Sequence, residues 1–148
     1  MALLAALRDP VVEFVLINAT TRLDELAAGS SPDAWPEAGV TVTRRITLRG
    51  VCETHSTERC ALIAGLRSVL SVVDGGRATV ERLTVTEARS GDVGGAFYFG
   101  RGHGGGRFEH VEFIACLAET AGGAVYVSND ATAGSVAFVG VNFTSNGV

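Results

Sequence analysis

The sequence predicts an all-β fold, a parallel β-solenoid of about four coils with a short helix closing its first coil, and three observations predict it. Gly94-Gly95-Ala96-Phe97-Tyr98-Phe99 returns further along the chain as Gly122-Gly123-Ala124-Val125-Tyr126-Val127. Leu83-x-Val85-x-x-Ala88 returns at the same offset as Val111-x-Phe113-x-x-Cys116, and after a slightly longer one as Val141-x-Phe143-x-x-Asn146. Ile46-x-Leu48-x-x-Val51 matches the same pattern before Leu83, at a longer offset still. Third, 19 glycines and one methionine in 148 residues point to many tight turns rather than to a helical bundle. Short strands that recur at a fixed period cannot each bury an apolar side alone, so they stack on one another. A sandwich or barrel also uses many short strands, but neither requires the same motif to return at a fixed offset.

Composition bounds the rest. At 148 residues and 47% hydrophobic, the chain reads as one domain, 1–148, with ample core and no membrane span. All 12 basic residues are arginine and 16 residues are acidic, a net charge of −4 that argues against non-specific nucleic-acid binding.

Residues 1–9 have the apolar spacing of one or two helical turns, stopped by Pro10, and they lack the basic start and length of a secretory signal. Val11 to Ile17 is a dense β-branched and aromatic run, expected as a strand covered on both faces with the helix lying across it. Residues 24–39 carry Gly, Ser and Pro breakers from Gly29 to Pro36 and then Gly39, forming a loop excursion that Trp35 pins to the core. Val40, Val42, Ile46 and Leu48 alternate with polar neighbours in two short strands. A second excursion, 51–60, holds Cys52, His55 and Cys60. Strands are then expected over Ala61 to Ala64, Val69 to Val73 and, after the Asp74-Gly75-Gly76 turn, Ala78 to Val85. In the glycine repeats Phe97, Phe99, Val125 and Val127 are assigned to the core, which turns Tyr98 and Tyr126 outward, one above the other.

These repeats resemble the pectin-lyase-like parallel β-helix superfamily, with units like the GGA and FxxN repeats of polymorphic outer-membrane protein passengers. The first motif stands at Gly94-Gly95-Ala96 and Gly122-Gly123-Ala124; the second is intact at Phe143-Thr144-Ser145-Asn146 and degenerate at Phe113-Ile114-Ala115-Cys116. The resemblance implies a right-handed coil with an amphipathic cap at its start. Its motifs are structural. The paired glycines bend the backbone, and an Asn at a corner bonds the turning chain, with Cys116 and Ala88 as packing residues in the same column.

Chemistry is sparser. Outward positions read by alternation give one column of Thr47, Thr84, Glu112 and Asn142, and beside it Arg45, Arg82, His110 and Gly140. Hydrolysis of a polysaccharide needs two facing carboxylates, and those columns hold only Glu112. No catalytic residue, metal site or cofactor is assigned. Arg45, Arg82, His110 and Glu112 are candidates for recognising an acidic polysaccharide, because the arginine fork matches carboxylates; the bland reading pairs these cations with Glu81, Glu109 and Glu112. Tyr98 and Tyr126 are a candidate platform for sugar rings, or simply a ladder. Arg101 to Arg107 is glycine-rich but lacks the Lys-Ser/Thr of a phosphate loop, and reads as a solenoid corner. Cys52, His55 and Cys60 supply too few ligands for zinc; a Cys52–Cys60 disulfide and two free thiols remain open. Asn18 and Asn142 head glycosylation sequons that matter only outside the cell.

The expected function is a non-catalytic module of an extracellular or cell-surface protein, structural or adhesive, with polysaccharide or a surface protein as partner. The alternative is a polysaccharide lyase or glycoside hydrolase of pectin-lyase type. The sequence stops just after a complete repeat, so either continuation in a longer chain or end-to-end association of copies is expected.

Overall fold

A computed structural model of the protein describes residues 2–24, 34–52, 60–130 and 133–148. The chain starts with helix α1 (Ala2–Arg8), followed by strands β1 (Phe14–Ile17) and β2 (Thr21–Arg22). The next coil is β3 (Val40–Val42), β4 (Arg45–Gly50) and β5 (Cys60–Ile63). After it come β6 (Leu70–Val72), β7 (Arg77–Glu81), β8 (Leu83–Thr86) and the short β9 (Arg89–Ser90). The third full coil is β10 (Phe97–Phe99), β11 (Gly106–Glu109), β12 (Glu112–Ile114) and β13 (Leu117–Ala118), and the fourth is β14 (Val125–Val127), β15 (Val136–Val139) and β16 (Asn142–Thr144).

Each full coil gives one strand to each of three sheets. In the order the chain visits them, the sheets run β3-β6-β10-β14, β1-β4-β7-β11-β15 and β2-β5-β8-β12-β16, and β9 pairs β13 beside them. Each of these pairings is parallel, so this is a β-solenoid of about four turns. Parallel register brings residues of the same type into columns, and alternation sends one set in and the other out. In β4 Ile46 and Leu48 are buried while Arg45 and Arg49 are exposed. Coil three fills the interior with aromatics from all three sheets: Phe97 and Phe108 meet edge to face at 5.1 Å, and Phe108 meets Phe113 at 5.6 Å. Phe138 then stacks on Phe108, and Phe143 on Phe113, both at 5.2 Å.

Single residues in the left-handed region make the corners. Between the second and third sheets these are Arg82, His110 and Gly140, with φ of 53°, 53° and 60°. After the third sheet come Glu87, Ala115 and Ser145 at 57°, 54° and 55°. Asn146 closes its corner against the coil before: its Oδ1 accepts the Cys116 N–H at 2.8 Å and its Nδ2 donates to the Phe113 carbonyl at 3.0 Å. The Gly-Gly-Ala corners work by two mechanisms. Gly94 and Gly122 take φ of 67° and 65°, whereas Gly95 has no room for a Cβ because the carbonyls of Gly123 and Leu117 press against it.

Leu3, Leu4 and Leu7 of α1 are buried, and the helix packs against β3 as well as β1, so it closes the start of the cylinder. Arg44 holds it there: Nη2 donates to the Leu7 carbonyl at 2.9 Å and Nε to the Val12 carbonyl at 3.0 Å, bonding carbonyls at and beyond the helix end that have no helical partner. Trp35 is fully buried, with Nε1 donating to the Ser68 carbonyl at 2.9 Å.

Three expectations need correction. Ile46 and Leu48 align with Ala78 and Val80, not with Leu83 and Val85, whose partners are Cys60 and Leu62. The first full coil is longer than the others, so its apolar alternation matches the wrong sheet. Strand β1 is covered on one face only, since Phe14 and Leu16 remain 49% and 58% exposed. Helix α1 closes the end of the solenoid and leaves the outer face of β1 open. Val127 stays 37% exposed, although Phe97 and Phe99 are core. Residues 25–33 and 53–59 of the two excursions lie outside the described residues.

Two stability measurements follow from this packing. Gly95→Ala should cost about 3 kcal/mol, because a methyl must displace the backbone of two neighbouring segments, while Gly91→Ala, with open space around it, should stay within about 0.5 kcal/mol. Urea unfolding of both variants checks this, and equal midpoints would refute it. Burial pushes the Cys116 thiol from its ordinary 9.0 up to about 11. Because the folded value lies above the unfolded one, the contribution is complete below pH 9 and is lost as pH rises toward 11, by up to about 2–3 kcal/mol. Unfolding curves between pH 8 and 10.5 should show that loss in the parent protein and not in Cys116→Ala.

Candidate functional site

The outer face of the second sheet carries the densest polar chemistry. Its register stacks Leu16, Arg49, Glu81, Glu109 and Val139 in one outward column. Beside it lies the corner column of Arg82, His110 and Gly140, where left-handed backbone swings the side chains away from the coil. Arg49, Glu81, Arg82, Glu109 and His110 line one cleft of about 260 Å³.

Both carboxylates of this cleft are paired. Arg49 Nε donates to Glu81 Oε2 at 2.6 Å, and Arg107 Nε donates to Glu109 Oε2 at 3.2 Å. His110 Nε2 lies 3.8 Å from Glu109 Oε1 and pairs with it when protonated. The Arg49 guanidinium also sits 5.3 Å from the centre of the Phe14 ring, a cation–π contact that holds it along the sheet. Glu81 and Glu109 are register partners on adjacent strands, which places two carboxylates about 4.8 Å apart at the backbone. Two carboxylates on one exposed sheet are the minimum for glycoside cleavage. Here one is committed to Arg49 and the other to Arg107, so the column is also a charge ladder; exposed pairs of this kind contribute only about 0–1 kcal/mol each to stability.

The residues singled out from sequence fall on different faces. Arg82 and His110 do come together at the corner. Arg45 does not join them: it is the register partner of Arg77 at the opposite edge of the second sheet. Thr47 pairs Thr79 in the second sheet, so the column through Thr84, Glu112 and Asn142 begins at Ala61 instead. The physical reason is again the longer first coil, which shifts its alternation onto another sheet. Glu112 stands on the third sheet, past the corner from His110.

Tyr98 and Tyr126 are register partners on the first sheet, half-buried, with rings stacked at 5.8 Å and 22°. Thr41 and Ser71 continue their column. Cys52 and Cys60 are joined by a disulfide with Cα atoms 5.4 Å apart, and Cys116 is a buried free thiol. Asn18 and Asn142 are exposed. His55, the third zinc candidate, lies outside the described residues. Among the described residues no three His, Cys, Asp or Glu side chains are grouped so as to hold a metal ion, and no helix is long and apolar enough to cross a membrane.

Sequence reasoning misses Arg49, Glu81 and Glu109 as a column, although a signal exists: Arg45-Ile46-Thr47-Leu48 repeats as Arg77-Ala78-Thr79-Val80, an Arg-x-Thr-x pattern that sets the register of these two strands. It also misses His103. This imidazole is fully buried in the glycine-rich corner; Nδ1 accepts the Gly105 N–H at 3.1 Å, which leaves Nε2 to donate to the Ser128 carbonyl at 3.0 Å. The corner is therefore latched to the next coil.

No protein-family model matches the chain, and no curated protein or solved structure matches it either.

His110 separates shape from chemistry. His110→Gly relieves the left-handed strain and should not lower stability, changing it by less than about 1 kcal/mol, whereas His110→Ile should cost about 1–2 kcal/mol. Thermal unfolding of the pair is the check, and a His110→Gly variant that melts like His110→Ile would contradict the corner reading.

Proposed function

We propose that this chain is a β-solenoid module of an extracellular or cell-surface protein, structural or adhesive in role, that meets polysaccharide through its outward columns. The observation that carries the proposal is the stacked Tyr98–Tyr126 pair, two aromatic rings at adjacent rungs of an outward face. Such rings offer the flat, half-wet surface on which sugar rings stack. The Cys52–Cys60 disulfide supports an oxidising compartment, where such bonds persist. The Gly-Gly-Ala corners and the Asn146 corner support the likeness to pectin-lyase-like helices and to outer-membrane passenger repeats.

The Glu81–Glu109 pair favours a second reading, a carbohydrate-active enzyme in which adjacent carboxylates act on a glycosidic bond with Arg82 and His110 beside them.

One set of measurements tests both. On intact cells of the source organism, external protease should remove the protein without lysis, and the protein isolated without reductant should show one titratable thiol after denaturation. Recovery of an untouched protein with three thiols would sink the surface reading. On a glycan array Tyr98→Ala should lose binding at least about tenfold, the worth of one stacking contact. Release of reducing ends or unsaturated sugars by the parent protein, abolished in Glu81→Gln and Glu109→Gln, would establish the enzyme instead.

A further inference from the structure

A second groove on the same sheet is built differently. Arg45, Arg77 and Arg107 line it together with Thr79, Ser135 and the backbone of Gly104, Gly106 and Gly134, over a volume of about 510 Å³. Arg45 and Arg77 are register partners on β4 and β7, so two guanidinium groups of like charge rise from strands about 4.8 Å apart. Like charges directly opposite on neighbouring strands repel. Elsewhere on this sheet the same proximity is neutralised, as in Arg49–Glu81. Here Arg45 and Arg77 are exposed and have neither an ion pair nor a side-chain hydrogen bond among the described residues. Arg107 is held by Glu109 through Nε alone, which leaves its two terminal nitrogens free to donate. The stem of Arg77 lies over Gly104, where a side chain would collide with it, so the glycine corner makes room for this arginine.

We propose that this groove binds a tetrahedral oxyanion ester, sulfate or phosphate, displayed on a polysaccharide. The proposal rests on the surface-module reading and names its ligand. A lone carboxylate satisfies one arginine fork with two oxygens in a plane; three arginines converging on one groove supply more donors than it can accept. An ester with three terminal oxygens and up to two charges takes donors from several directions and neutralises the repulsion between Arg45 and Arg77. Arg45, Arg77 and Arg107 are exposed, so a substituent that projects from a polymer can reach all three.

The test uses the full chain in calorimetric titrations with a heparin octasaccharide, a phosphomannan fragment and oligogalacturonate. At least one of the first two should bind, with oligogalacturonate at least about tenfold weaker, and heparin or phosphomannan preference assigns the ester as sulfate or phosphate. Arg45→Ala/Arg77→Ala should weaken that binding at least about tenfold, and Arg45→Lys/Arg77→Lys, which keeps the charge and loses the fork, about threefold or more. Both variants should keep the parent circular dichroism, because the replaced heads make no bonds in the described fold; if the alanine pair unfolds, the lysine pair carries the comparison. No binding to either ester polymer, equal binding of oligogalacturonate, or binding untouched by the arginine changes would overturn the site. Binding to a neutral glycan that survives the arginine changes and is lost in Tyr98→Ala would overturn this site and leave the surface-module reading standing. A protease-protected protein with three free thiols would remove that reading itself.

Discussion

The structure depends on one constraint: each strand must hydrogen-bond, in parallel and in register, to the strand one coil away, and the inner strands of the three sheets do so on both sides. A coil has no apolar interior of its own. Its three short strands become stable only when Val42, Val72 and Phe99, or Leu48, Val80 and Phe108, lie over one another and shut water out of the cylinder. The same register fixes the outside. Whatever stands at one outward position repeats its surroundings at the next rung, so charges, rings and glycines are read as columns rather than as single residues.

In coils two to four, corners make this possible without long loops. One left-handed residue there turns the chain from the second sheet into the third, and the backbone needs no side chain at that position. That position is consequently free for chemistry, and Arg82 and His110 occupy it next to the Glu81–Glu109 column. The glycine corners are the reverse case, because neighbouring backbone approaches so closely that Gly95 cannot carry a Cβ. One corner type displays side chains and the other excludes them. This divides the surface into two polar grooves on the second sheet and a tyrosine face on the first.

The polar grooves differ in how their charge is resolved. Around Glu81 and Glu109 each anion has a cation within reach, so the column is balanced without a ligand. Around Arg45 and Arg77 the charges are alike and open to solvent, and no anion among the described residues neutralises them. Pairing separates a stabilising ladder from a binding surface, more than cavity size does.

The repeat alone dictates the solenoid, because the return of Gly-Gly-Ala and of Leu-x-Val at one shared offset is a statement about stacking rungs. The inward Phe97 and Phe99 and the outward tyrosines are equally legible as local consequences of alternation, and the corner role of the paired glycines as a consequence of their missing side chain. Which rungs lie side by side in the first coil emerges only from the folded chain. There the coil is longer than those that follow, and a two-residue alternation fits more than one sheet equally well, so Ile46 and Leu48 match the wrong partners and Arg45 the wrong column. Partners on neighbouring coils are set by backbone hydrogen bonds between segments a whole coil apart in the chain, a distance over which a period-two pattern carries no memory of register.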